Sequence, residues 1–133
     1  MNIAFTAHDG RKKLLESLCI AYRNILSSHN LFSTGTTGQI IERATNLQVT
    51  KFLSGNLGGV RQLGTYISYN EIDLLVFLRD PSEYPDYEDG DEYILRLCDT
   101  QNIPAASNLA TAEALLMALD RGDLDWRRWV NYI

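Results

Sequence analysis

The sequence predicts an α/β fold in which a five-stranded, mainly parallel sheet carries helices on both faces. Three observations predict it. Strand and helix signals alternate from end to end with short connections, and such alternation requires parallel strands covered by helices. Residues 73–79 (Asp-Leu-Leu-Val-Phe-Leu-Arg) are apolar at successive positions, as a central strand buried on both sides must be. The chain of 133 residues suits one domain, spanning 1–133, that buries about two-thirds of its unfolded surface. Together these describe a single doubly wound, Rossmann-like domain.

Each element has its own signal. Residues 3–7 form a short buried strand. From 11 to 26, Leu14, Leu15, Leu18, Tyr22, Ile25 and Leu26 recur at three- and four-residue steps, predicting one amphipathic helix. Residues 31–34 are the second strand, and 37–45 the second helix, with Ile40, Ile41 and Ala44 at helical spacing. Residues 50–54 give a third strand. The turn Gly55-Asn56-Leu57-Gly58-Gly59 then opens a helix that runs to about Tyr69. After the strand 73–79 comes an acidic, tyrosine-bearing loop from Asp80 to about Gly90. A helix at 91–102 leads through Ile103-Pro104-Ala105-Ala106-Ser107 to a last helix beginning near Thr111, with Ala112, Leu115, Leu116 and Leu119 inward. Trp126, Trp129, Val130 and Ile133 fall at i, i+3, i+4 and i+7, a stripe expected to dock on the domain, with an oligomer contact as the alternative.

Composition excludes several functions. A net charge of −5, from 12 basic against 17 acidic residues, does not provide the cationic field that a nucleic-acid backbone requires. No run of about 18 apolar residues is present to cross a membrane. Residues 1–5 enter a strand without a basic region or cleavage site, so no leader is expected and the location is read as cytoplasmic. Cys19 and Cys98 sit in apolar helical patterns and read as buried thiols of a reducing compartment. Two Cys and two His at these spacings make no zinc site, and no metal is expected. The loop 83–92 has carboxylates enough for calcium but lacks the ligand spacing of an EF-hand, and reads as a solvated lid.

In doubly wound folds, ligands sit beyond the carboxyl ends of the strands. Here those ends are His8-Asp9, Thr34 to Gly38, Ser54-Gly55, Asp80-Pro81 and Ser107-Asn108, each of them polar or glycine. The segment Ser33-Thr34-Gly35-Thr36-Thr37-Gly38 turns a strand directly into a helix start. Such a junction offers backbone N–H groups, hydroxyls and a positive dipole end, the ingredients of a phosphate cradle. An ordinary turn capped by Thr36 or Thr37 fits the same residues. His8-Asp9 likewise reads either as a functional pair or as a cap for the helix that follows.

Six segments taken together resemble the methylglyoxal synthase family. They are Ala7-His8-Asp9 with Lys12, the 33–38 junction, Leu53-Ser54-Gly55, Gly58-Gly59 with Gln62, Phe77 through Asp80-Pro81, and Ile103-Pro104-Ala105 through Asn108-Ala110-Thr111-Ala112, in the family's order and over almost the whole chain. The resemblance implies a homo-oligomer, usually a hexamer. It also implies conversion of dihydroxyacetone phosphate to methylglyoxal and phosphate without metal or organic cofactor. It assigns phosphate binding to Lys12, Thr34, Gly35, Thr36, Thr37, Ser54 and Gly55, all filled by the expected type, and leaves His8, Asp9 and Asp80 as the catalytic candidates.

The chain departs from the family pattern where chemistry begins. The family's base, an aspartate directly after the Gly-Gly pair, is replaced by Val60. Counting from Asp80-Pro81 puts Tyr87 at the family's histidine and Gly90 at its further aspartate, unless a one-residue slip recruits Asp89 or Asp91. The family's C-terminal basic residue has no clear counterpart. Valine accepts no proton, and a missing base costs about 10² to 10⁴ in rate. Arg61 and Arg79 are additions: cleft-facing guanidiniums would suit a second phosphate or carboxylate, whereas solvated or loop-paired ones would be inert. The expectation is a small phosphorylated ligand bound with the family's catalysis lost or altered. The alternatives are an active synthase with a substitute carboxylate, and a sensor for a nucleotide-derived ligand walled by Val60 and Tyr87.

Overall fold

The computed structural model describes residues 1–83 and 88–130 of the chain. Its strands are β1 (Asn2–Ala7), β2 (Asn30–Ser33), β3 (Val49–Lys51), β4 (Leu74–Leu78) and β5 (Ala105–Ala106). They join one sheet in the order β3-β2-β1-β4-β5, and all four pairings are parallel. Ile3 of β1 lies level with Leu31 of β2 and with Leu74 of β4. Successive crossovers run outward through β2 to β3, and then from β4 to β5 on the other side of β1. The order thus reverses between β1 and β4, and a crevice opens at their carboxyl ends.

Period-two alternation splits the strands between two cores. Ile3, Phe5, Leu74, Val76 and Leu78 point to the face covered by α1 (Lys12–Ala21), α3 (Gly35–Thr45) and α6 (Leu109–Asp120), through Leu15, Leu18, Ile41, Ala112 and Leu116. Ala4, Leu75 and Phe77 point to the face covered by α4 (Gly59–Ser68) and α5 (Glu88–Gln101), through Leu63, Ile67, Ile94 and Cys98. Asn46, Asn70 and Asn102, just past α3, α4 and α5, take left-handed backbone (φ 60°, 57° and 54°), which asparagine tolerates better than most residues. Cys19 and Cys98 are free and buried, and burial pushes both thiols up to about 12. Among the described residues no helix is long and apolar enough to cross a membrane.

Several boundaries differ from expectation. The helix expected at 11–26 is divided: a turn at Asp9–Arg11 precedes α1, and Tyr22 (φ −106°, ψ 21°) separates it from α2 (Arg23–Leu26). The third strand ends at Lys51, because residues 52–54 leave the sheet to pass over two glycines at the rim. Helix α5 begins at Glu88 rather than Asp91, which shortens the acidic loop. Residues 84–87 of that loop lie outside the described residues, so the lid reading is not addressed. Helix α6 begins at Leu109, where Asn108 Oδ1 accepts the Thr111 N–H at 3.0 Å, an N-cap two residues earlier than expected.

The C-terminal stripe is a correction. Trp126 and Trp129 of α7 (Trp126–Val130) are exposed, at 46% and 74%, and the inward residues are Leu124 and Arg127. Ile133 lies outside the described residues. The Arg127 guanidinium is 2% exposed and donates to Asp73 Oδ1 (3.3 Å), Asn102 O (2.7 Å), Ile72 O (3.2 Å) and Asn70 Oδ1 (2.5 Å). A buried charge is tolerated only when paired and hydrogen-bonded, and Arg127 is both. It pins the C-terminal segment beneath the amino ends of the strands, away from the rim.

Candidate functional site

Glycines set the geometry of the rim. The Gly35 N–H donates to Leu53 O at 3.1 Å, and a methyl group built on Gly35 would lie 2.9 Å from Phe52 O. One built on Gly59 would sit 1.9 Å from Leu53 O. Residues 52–54 are therefore clamped between the starts of α3 and α4, a contact only glycine allows. Gln62 Oε1 accepts the Leu53 N–H at 2.7 Å and fixes the same segment. The result sets two helical N-termini side by side: α3, and the turn Gly55–Leu57 that follows Ser54.

Neither start is capped by the side chain at its N-cap, Thr34 or Ser54. The Thr34 hydroxyl instead lies 3.3 Å from that of Thr6, and Ser33 Oγ donates to Thr34 O at 3.0 Å. Thr34 and Thr37 are buried, whereas Thr36 and Gly55 are on the open rim. The cap by Thr36 or Thr37 considered from sequence is not formed, since Thr34 holds the N-cap position with extended backbone (φ −63°, ψ 152°). First-turn amides left without a side-chain cap carry the partial positive charge of the helix terminus. The Ser54 carbonyl accepts the N–H groups of Leu57 (2.9 Å) and Gly59 (3.0 Å), which holds the second turn rigid.

Beside this pair, β1 and β4 deliver the ionisable residues. His8 is buried and its ring stands edge-on to Phe77, with centroids 5.4 Å apart. Its Nδ1 accepts the Asp80 N–H at 2.8 Å, and the His8 backbone N–H donates to Leu78 O at 3.1 Å. The neutral ring therefore keeps its proton on Nε2. Asp9 is exposed and does not cap the following turn. It accepts from Lys12 Nζ at 2.7 Å, a bond that holds its carboxyl below the usual range, and Lys12 also reaches Ala7 O at 3.3 Å.

Asp80 Oδ1 accepts both the Ser82 hydroxyl (2.7 Å) and the Ser82 N–H (2.9 Å), and these bonds lower its pKa. A folded value below the ordinary 3.8 means that ionised Asp80 favours the folded state above that pH. The contribution fades as pH falls through the lowered value. Ser82→Ala is expected to move the Asp80 carboxyl titration upward, read by carbon NMR. An unmoved midpoint would show that the hydroxyl does not hold the charge.

Val60 and the two arginines complete the inventory. A methyl group built on Gly55 would lie 3.7 Å from Val60 Cγ2, so the valine flanks the Ser54-Gly55 turn while packing on the second core with Phe52 and Tyr66. Arg61 and Arg79 are exposed, and the Arg79 carbonyl accepts from Arg11 Nε at 3.3 Å. Tyr87 lies outside the described residues. Among the described residues no group of three or more His, Cys, Asp or Glu is placed to hold a metal. Sequence reasoning missed Thr6, Gly10 and Glu83. Glu83 Oε1 accepts the Gly10 N–H at 2.9 Å, and a side chain at Gly10 would collide with Asp80 Oδ2 at 2.2 Å. Glu83 was hidden in an acidic run; a glycine directly after His8-Asp9 was the one available hint of close approach.

Comparison with known proteins points to one family. The profile of the MGS-like domain family matches residues 15–107. A methylglyoxal synthase of Caldicellulosiruptor saccharolyticus is 55% identical over 131 residues, covering 98% of this chain and 93% of that protein. One from Alkaliphilus metalliredigens is 50% identical, covering 98% of each. The crystal structure of methylglyoxal synthase from Elizabethkingia anophelis superposes with a TM-score of 0.78 at 39% identity, covering 86% of this chain and 76% of that one.

Proposed function

The chain belongs to the methylglyoxal synthase family, and from that premise we propose that it binds a small phosphorylated metabolite with the family's proton abstraction lost or altered. One observation carries the reading: the uncapped start of α3 lies against the Ser54-Gly55 turn, and Val60 flanks that turn. Paired helix N-termini with hydroxyls favour a phosphate group, and Lys12 adds a point cation. The resemblance puts the family's base at position 60, where an isopropyl group accepts no proton. His8 supplies an Nε2–H donor, and Asp9 and Asp80 supply ionised carboxylates on the same rim. Buried free thiols accord with a cytoplasmic protein. Assembly as a homo-oligomer, a hexamer by family habit, belongs to the same proposal.

A second reading, a working synthase with a substitute carboxylate, is favoured by the 55% identity to proteins named as synthases. Incubation with dihydroxyacetone phosphate separates the two. The first reading expects no methylglyoxal above background, and turnover above about 1 s⁻¹ would overturn it. Calorimetry against phosphate and triose phosphates should then give saturable binding. Thr36→Ala should weaken it by about tenfold, the worth of one hydrogen bond to a charged group. Absence of binding by every phosphorylated compound would refute both readings.

A further inference from the structure

His8 stands where the sheet order reverses, and two groups face one of its nitrogens. The Asp80 N–H donates to Nδ1 at 2.8 Å, and Glu83 Oε2 lies 3.8 Å from the same atom. That oxygen is buried and, among the described residues, has no hydrogen-bond partner, while its companion Oε1 is held by the Gly10 N–H at 2.9 Å. Buried acceptors are nearly always satisfied in native proteins, so one left open beside an imidazole marks a functional arrangement. A shift of about 1 Å would bring it to hydrogen-bond distance.

The geometry points to Glu83 as a positioning residue for His8, its Oε2 receiving the proton on Nδ1 when the ring takes up a second proton and so holding the Nε2–H toward a bound phosphate ester as a charged donor. The proton comes from solvent and occupies the Nδ1 lone pair, displacing the Asp80 N–H; no other bond changes. Other charges face the ring from the neighbouring turns. Asp9 is engaged by Lys12, and Asp80 by Ser82, with Arg11 near the latter. Glu83 is the carboxylate whose open oxygen faces Nδ1. The ligand half of this inference rests on the phosphate reading above; the Glu83–His8 half does not.

Nitrogen NMR of the His8 ring tests it, comparing wild type with Glu83→Gln, which keeps an acceptor for the Gly10 N–H. In ligand-free protein near pH 6 the fraction with Nδ1 protonated should be about fivefold or more higher in wild type. Saturating inorganic phosphate should raise that fraction in wild type, and the variant should bind phosphate at least about threefold more weakly. Equal ring protonation in the two proteins would overturn the role, as would a phosphate-saturated ring that stays neutral and bonded to the Asp80 N–H. Should the variant not fold, the Glu83 carboxyl carbon in wild type still decides: its chemical shift must respond when the His8 ring takes up its second proton, and a shift indifferent to that step overturns the pairing. Failure of wild type to bind phosphate would sink the ligand reading alone, because the ligand-free comparison is made without it.

Discussion

Arg127→Ala is expected to lower the unfolding free energy by about 3–5 kcal/mol, a large effect for a single residue. The figure follows from what the substitution leaves behind rather than from the worth of one ion pair. With the guanidinium gone, Asp73 loses its buried counter-charge, and the carbonyls of Ile72 and Asn102 and the Asn70 side chain each lose a donor. Among the described residues Asp73 would keep only the Asn2 N–H, at 2.8 Å. The loss should appear as a lower midpoint in urea unfolding at unchanged slope. Combining Arg127→Met with Asp73→Asn removes both charges and should recover part of the loss, since much of the penalty is the stranded carboxylate. A drop below about 1 kcal/mol would mean that the C-terminal segment is not anchored beneath the sheet.

Arg127 also shows where the sequence stops being legible. Its burial depends on Asp73, Asn70 and Asn102, which lie at the ends of β4, α4 and α5 and carry no local sign of convergence. The surrounding Trp126, Trp129 and Val130 spacing is the louder signal, and it suggests the wrong face. By contrast, the two cores were readable, because the unbroken apolar run of β4 and the three- and four-residue steps in α1 are local patterns that packing did not override. The rim was readable for a different reason: polar and glycine residues at strand ends have few structural uses, so their coincidence at successive ends was informative. The third strand was read too long because Phe52 and Leu53 have strand-like side chains. Their backbone is claimed by Gly35 and Gly59, a contact set by α3 and α4 together. Glu83 illustrates the same limit, since only the fold brings it from the loop after β4 to His8.

The second large effect concerns rate. Val60→Asp combined with Tyr87→His is expected to produce methylglyoxal from dihydroxyacetone phosphate at least about 10²-fold faster than the parent protein. The residue-60 side chain flanks Gly55 on the turn proposed to hold phosphate, so a carboxylate there stands beside the bound ester; the proton it must take is on the hydroxymethyl carbon, because only the enediolate formed there can expel phosphate from the opposite carbon. Its surroundings help, because the half-buried setting against the second core disfavours the charged form and would raise the carboxyl toward the range of an effective base. The same burial carries a stability cost of about 1–3 kcal/mol, small enough for the fold to bear. Histidine at 87 restores the residue type that the family resemblance gives at that position. Each single variant should fall well short of the pair, because abstraction and stabilisation of the enediolate act on one transition state. A double variant that folds, binds phosphate and still yields no product would overturn the proposal that the residue at position 60 is what removes proton abstraction.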